Sequence, residues 1–266
     1  MQGLLKFARL FLLLNLNLFF LLCGSMIKSG FFLSPEKKMG LRACGMRWWS
    51  RSNCFILGIH ITPTGAYSKN DVFFIVSNHC SYLDILVIGT IMPSVFVSKS
   101  EVASWPFLGR LVKLAGTVFV NRESKIASVK ALESIKERLS SGISVVVFPE
   151  GTTSNGLTIR DFKSTLFKAP IDSSVPVLPL SIAYSHIERR PVTAGTIDTV
   201  AWHSDMDFLP HFWNLLGLRR IDVCLHFNAP LYHFTNDRKT LSSSVFDRVR
   251  EGHKRLIADT ELGITL

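Results

Sequence analysis

The chain has 266 residues, enough for one large domain with an appendage, and 47% of them are hydrophobic. Its net charge of +10 asks for an anionic partner, but the basic residues are dispersed among apolar segments. That dispersal argues against a nucleic-acid binder and for a membrane surface. The five cysteines, Cys23, Cys44, Cys54, Cys80 and Cys224, are odd in number and show neither CxxC nor metal-ligand spacing. They read as reduced, buried thiols in a reducing compartment, with no metal assigned.

The first element is the apolar run "LFLLLNLNLFFLLC" at 10–23, preceded by Lys6 and Arg9. As a helix it rises only about 21 Å against a hydrocarbon core of roughly 30 Å. Extension to Ile27 lengthens it, with Asn15 and Asn17 as interruptions. Leu21-Leu22-Cys23-Gly24 makes a poor cleavage site, so an uncleaved anchor is expected rather than a secretory signal. Basic residues flank the run on both sides, Lys28, Lys37, Lys38, Arg42, Arg47 and Arg51 following it. This suits a hairpin or interfacial helix returning to one anionic leaflet, with the rest of the chain on the cytoplasmic face. Trp48-Trp49 is expected at headgroup depth. Residues 1–60 thus read as the membrane-binding helical segment and 61–266 as one further domain.

From residue 71 strands and helices alternate. Strands are expected at 71–77, 94–99, 117–122, 143–149, 175–184 and 221–231. Helices are expected at 82–91 and around 101–115. A third, 124–139, places Ile126, Val129, Leu132, Ile135 or Lys136, and Leu139 on one face. A last helix at about 240–259 carries the stripe Leu241, Val245, Val249, Leu256 and Ile257. The alternation implies an α/β fold, a mixed and largely parallel sheet flanked by helices.

Ligands in such folds sit beyond the carboxyl ends of the strands. In "VSNHCSYLDILVIG" (76–89), His79 lies two residues past an apolar run and Asp84 five residues further on. A continuous helix would separate the pair by about 140°, so they meet only if His79 stands in a turn ahead of the helix. A carboxylate on one ring nitrogen fixes the tautomer and frees the other to accept a proton from an alcohol. From the pair alone, a structural strand-end histidine beside an unrelated helical acid is the better account. Two further stretches reverse that. "VVVFPEGTTSNG" (145–156) leaves a buried strand for a loop holding Glu150, glycines and hydroxyls, of the kind that binds phosphates or polar headgroups. "GTVFVNR" (116–122) ends its strand on Arg122, a candidate anion clamp. The chain has neither GxxxxGK[ST] nor GxSxG, which argues against a nucleotide-binding P-loop and the usual serine hydrolase.

Together these residues resemble the glycerolipid acyltransferase family, which includes the lysophosphatidate acyltransferases. The family's Asn-His-x4-Asp block is similar to "NHCSYLD" (78–84), and its Gly-to-Asp-Arg strand to "GTVFVNR". Its Phe-Pro-Glu-Gly-Thr-Arg-Ser block is similar to "FPEGTTS" (148–154) with Phe162-Lys163 following, and its Val-Pro block to "VPVLP" (175–179). The likeness spans about 70–185. It implies transfer of an acyl group from acyl-CoA or acyl-carrier protein to a lysolipid hydroxyl, without a cofactor. His79 would be the general base oriented by Asp84, with Arg122, Glu150, Gly151 and Thr152 contacting the acceptor. The default acceptor is 1-acyl-sn-glycerol 3-phosphate, giving phosphatidate. Two positions depart from the pattern: Asn121 replaces Asp, and Thr153 replaces the Arg of the lysophosphatidate enzymes. Losing that guanidinium removes a bidentate phosphate contact, for which Arg122, Arg160 or Lys163 would have to compensate. Thr153 and "DMDFLPHFWNLLG" (205–217) also resemble bacterial relatives that acylate lyso-ornithine lipid; that lipid or another lysophospholipid is the alternative acceptor. That downstream stretch reads either as a wall of the acceptor pocket or as a surface amphipathic helix. A thioester hydrolase is the alternative of a different class, disfavoured because water needs no headgroup site.

Overall fold

The computed structural model describes residues 2–30, 32–121 and 125–261. Helix α1, Gln2–Ser29, is a single 28-residue helix, longer than the apolar run that marks it. It is long and apolar enough to cross a membrane by length and composition. Phe7, Phe11 and Phe19 on it are exposed. Helix α2, Pro35–Leu57, begins with proline at its first position on a Ser34 cap and ends at Gly58, which supplies the left-handed φ of 70°. Asn17, an interruption in the apolar run, accepts a hydrogen bond of 2.7 Å from Trp49 Nε1 of α2. Trp49 therefore turns into the helix–helix seam, and of the pair only Trp48, 66% exposed, is left for headgroup depth.

The strands are β1 Ile59–Gly65, β2 Phe74–Ser77, β3 Ser94–Lys99, β4 Val118–Val120, β5 Ser144–Val147, β6 Val177–Ile187, β7 Arg190–Pro191 and β8 Ile221–Phe227. Among the described residues they form one sheet in the order β1-β8-β6-β2-β5-β3-β4, with β7 on β6. The pairs β6–β2, β2–β5, β5–β3, β3–β4 and β1–β8 are parallel; β8 and β7 run antiparallel to β6. The remaining helices are α3 Leu83–Gly89, α4 Leu108–Leu114, α5 Lys125–Ser140, α6 Lys168–Ser173, α7 Phe208–Leu215 and α8 Arg238–Glu261. The mixed, largely parallel sheet flanked by helices is the expected one.

Two apolar cores lie on opposite sides of the sheet. Phe73 and Ile75 join the core beneath α2 and α3; Phe74 and Val76 join the core beneath α5 and α8. Burial on both faces is why the strand reads as an unbroken apolar run. Three elements depart from expectation. Strand β1 is half-exposed and carries Pro63, tolerable because β1 is an edge. The helix expected over 101–115 is broken: a 3₁₀ turn at Ser100–Ser104 gives way to Pro106 and to Phe107 with φ 62° before α4 begins. On α5, Ala131, Ile135 and Leu139 are buried, whereas Ile126 and Val129 are exposed: at about 100° per residue they lie about 180° and 120° around the helix from Ile135.

Candidate active site

Strand β2 ends at Ser77, and the Asn78 side chain carries its pairing one step further. Asn78 Nδ2 donates to Ile182 O at 3.0 Å while Oδ1 accepts from Ile182 N at 2.9 Å. The backbone is thereby free to turn at His79, Cys80 and Ser81 before α3 starts. Within that turn His79 Nδ1 donates to Asp84 Oδ2 at 2.8 Å. The same carboxylate oxygen accepts from Cys80 N at 2.7 Å and Ser81 N at 2.9 Å, and Oδ1 accepts from the Tyr184 hydroxyl at 2.7 Å. Asp84 is fully buried, and the His79 side chain is 16% exposed. A carboxylate only accepts, so Nδ1 carries the proton and Nε2 is the free acceptor. The Phe148 ring stacks on the imidazole at 4.0 Å, limiting its rotation. Cys80, beside His79, is no nucleophile: burial and then the charges of Asp84 and Glu150 push its thiol well up.

The loop after β5 closes on the same turn. Glu150 Oε1 accepts from His79 N at 2.6 Å and Oε2 from Arg160 N at 2.8 Å. Burial raises the Glu150 pKa to about 7, against the lowering effect of those two N–H groups. Ser154 N and Oγ both donate to His79 O, at 2.8 and 3.1 Å. Gly151 provides the φ of 79° that lets the loop reverse.

His79 opens into a cavity of about 630 Å³, within the usual size of ligand pockets. Its walls come from α1, α2, α3 and α4 and include Leu13, Phe20, Met46, Leu86 and Leu111, with Gly151, Thr152 and Thr153 at the His79 end. Of the residues expected to contact the acceptor, Gly151 and Thr152 line this cavity. The Glu150 carboxylate faces backbone instead, tying the loop to the His79 turn. Arg160 and Lys163 are exposed and do not line the cavity. Arg122 lies outside the described residues. Among the described residues, no three His, Cys, Asp or Glu side chains gather as a metal site.

A family model described as Acyltransferase matches residues 60–183. The lyso-ornithine lipid O-acyltransferase of Rhizobium meliloti is 35% identical over 214 residues, covering 77% of this chain and 73% of that protein. The chain belongs to the lysolipid acyltransferase family. The 1-acyl-sn-glycerol-3-phosphate acyltransferase of Neisseria gonorrhoeae is 31% identical over 204 residues, covering 76% of each chain. The crystal structure of the 1-acyl-sn-glycerophosphate acyltransferase from Thermotoga maritima shares the fold, with a TM-score of 0.67, 20% identity and coverage of 96% of this chain and 98% of that one.

In this lysolipid acyltransferase the linear sequence does not show how several site residues meet. Tyr184 reaches Asp84 from β6, a hundred positions away. Phe148 stands in the FPEGTTS stretch, but its stacking on His79 is not written there. Phe208 and Phe212 of α7 line the cavity, and Tyr82 OH donates to His211 Nδ1 of the same helix at 2.9 Å. The stretch 205–217 is therefore a pocket wall rather than only a surface helix.

Proposed function

We propose that the chain moves a fatty acyl group from an acyl thioester, acyl-CoA or acyl-carrier protein, to the free hydroxyl of its lysolipid acceptor, with His79 as general base. The observation that carries this reading is the 2.8 Å bond from His79 Nδ1 to buried Asp84 at the end of a large apolar cavity. His79 Nε2 takes the proton as the hydroxyl oxygen attacks the thioester carbonyl, and Asp84 balances the imidazolium. Collapse of the tetrahedral intermediate expels the thiolate, which leaves with the proton from Nε2. The new ester stays on the lipid, with no acyl-enzyme formed. Ser81, the hydroxyl next to the dyad, is tied to Val200 O at 2.6 Å and fully buried, which supports direct transfer. The cavity walls from α1, α2 and α4 suit a fatty chain, and α1 suits attachment to the membrane, with the sheet domain on its cytoplasmic face.

As acceptor we favour a lyso-amino-acid lipid of the lyso-ornithine kind. Thr153, neutral and nearly buried, stands at the His79 end of the cavity where a guanidinium would grip a phosphate. Lysophosphatidate is the second reading, favoured by Lys99 in the cavity wall and by the Neisseria relative. The test is acyl transfer by the membrane-purified protein, offering both acceptors and water against both donors, read by mass spectrometry. His79→Ala is expected to lower transfer by about 10²–10⁴-fold while the protein remains folded. Undiminished transfer in that variant, or thioester hydrolysis without transfer in the wild type, overturns the reading.

A further inference from the structure

A second cavity, of about 330 Å³, lies where the end of α1, the start of α2 and the end of α5 meet. Its charged walls are Lys28 of α1, Glu36, Lys38 and Arg42 of α2, and Glu137 and Arg138 of α5. Among the described residues, four cations thus face two carboxylates, and both carboxylates are engaged. Glu137 Oε2 accepts from the neighbouring Arg138 Nη1 at 2.9 Å. Glu36 is exposed, and its own backbone N–H and the Ser34 hydroxyl hold its pKa down. The next acids along α5 and α6, Glu133 and Asp172, pair with Lys136. Among the described residues Arg42 forms no hydrogen bond or ion pair, and its Nε is buried. The Nε of Arg138 is likewise buried without a partner. Lys28 and Arg138 stand in the last turns of α1 and α5, where they offset the carbonyl ends of those helices. That role accounts for neither Lys38 nor Arg42, which lie in the first half of α2.

A half-buried guanidinium without an acceptor is costly, and an anion with several oxygens relieves it. Phosphate meets a guanidinium through paired N–H···O bonds, so it is the anion that two arginines fit best. The surroundings say where that phosphate comes from. Met26, Phe32 and Leu41, close in the chain to Lys28 and Arg42, are exposed apolar side chains, as are the phenylalanines along α1. Lys28 closes the apolar helix, at the level where a helix in lipid meets the phosphates. We propose that Lys28, Lys38, Arg42 and Arg138 bind the phosphate of an anionic membrane phospholipid, at a site separate from that of acyl transfer. The four side chains come from three helices, so one headgroup fastens α1 and α2 to α5. Arg42 also lines the cavity into which His79 opens, whereas Lys28, Lys38 and Arg138 do not.

The test offers short-chain phosphatidylglycerol and phosphatidylcholine, equal in chain length, to the full-length protein in a non-ionic detergent. Native mass spectrometry counts the lipid retained. The wild type is expected to retain one phosphatidylglycerol in preference to phosphatidylcholine. Arg42→Gln and Arg138→Gln should each weaken that binding by about ten- to a hundred-fold, the range of a lost charge-assisted bond. Arg250→Gln and Arg255→Gln remove the same charge from exposed positions on α8, and Lys99→Gln removes it from the His79 cavity. These three should keep the wild-type preference. Because each preference is a ratio between two lipids in one preparation, a partly unfolded variant does not imitate the loss. Equal retention of both lipids by the wild type, or an unchanged preference in Arg138→Gln, overturns the site. So does an equal fall in the α8 variants, which would leave only dispersed charge. A fall in Lys99→Gln without one in Arg138→Gln places the lipid in the acyl cavity and overturns it as well. Displacement of the lipid by an equal concentration of CoA assigns the site to a soluble phosphate, again against the proposal. None of these outcomes bears on His79, which the transfer assay tests by itself.

Discussion

Asp84 holds His79 in place because Asp84 is itself held, by Cys80 N, Ser81 N and the Tyr184 hydroxyl in addition to the ring. Tyr184→Phe removes one donor and leaves Oδ1 buried without a strong partner. A stability loss of about 1–3 kcal/mol is expected in chemical denaturation. Tyr184 touches the dyad and not the substrate, so kcat should fall while KM stays near the wild-type value. A rise in KM alone would refute that positioning role. Glu150 gives a second prediction, in pH. Its carboxyl is raised from an ordinary value near 4.5 to about 7, so the folded chain binds this proton more readily than the unfolded one. The stability this contributes is complete below about pH 4.5 and is lost as pH rises through 7. Relative to Glu150→Gln, the wild type should therefore lose about 2–3 kcal/mol across that window, measured as melting curves at each pH. Parallel curves would show that Glu150 titrates normally.

At the scale of elements, α1 serves both as a wall of the cavity and as the outermost helix. Arg9 ties it to the sheet domain, donating to Leu216 O at 3.2 Å and also to Leu218 O, at the end of α7. Arg9→Ala should cost about 1–3 kcal/mol of stability and flatten the profile of acyl-chain lengths accepted, because the wall is no longer pinned. An unchanged profile would assign the chain pocket to other elements. The same scale shows what the linear sequence carries. Strands β2 and β5 are legible because burial on both faces makes them continuous apolar runs, and α8 because Leu241, Val245 and Val249 repeat every turn. The dyad is legible because His79 and Asp84 share one turn. Strand β1 is not, since "IHITPTG" is half-exposed and becomes a strand through its distant partner β8. The bond from Tyr184 to Asp84 is hidden for the same reason: it joins segments far apart in the chain. The break at Pro106 was visible as a residue, but its consequence, Phe107 at positive φ, was not.

For the whole molecule, a net charge of +10 beside an exposed apolar helix predicts two separable attractions to a bilayer. Sedimentation with anionic vesicles should exceed that with zwitterionic ones at low salt, and the excess should fade toward about 1 M, where the Debye length is about 3 Å. What remains is the apolar attachment through α1; complete release in high salt would contradict it. The pairing of β1 with β8 has a consequence for how the protein is made. Ile59 lies opposite Ile221, so the strand that follows α2 waits until about five-sixths of the chain has been synthesised. Until then its edge is open to pairing with other chains. A ribosome that stops before residue 221 should release a product that is aggregated or rapidly proteolysed, even though His79, Asp84 and the Glu150 loop have all been translated.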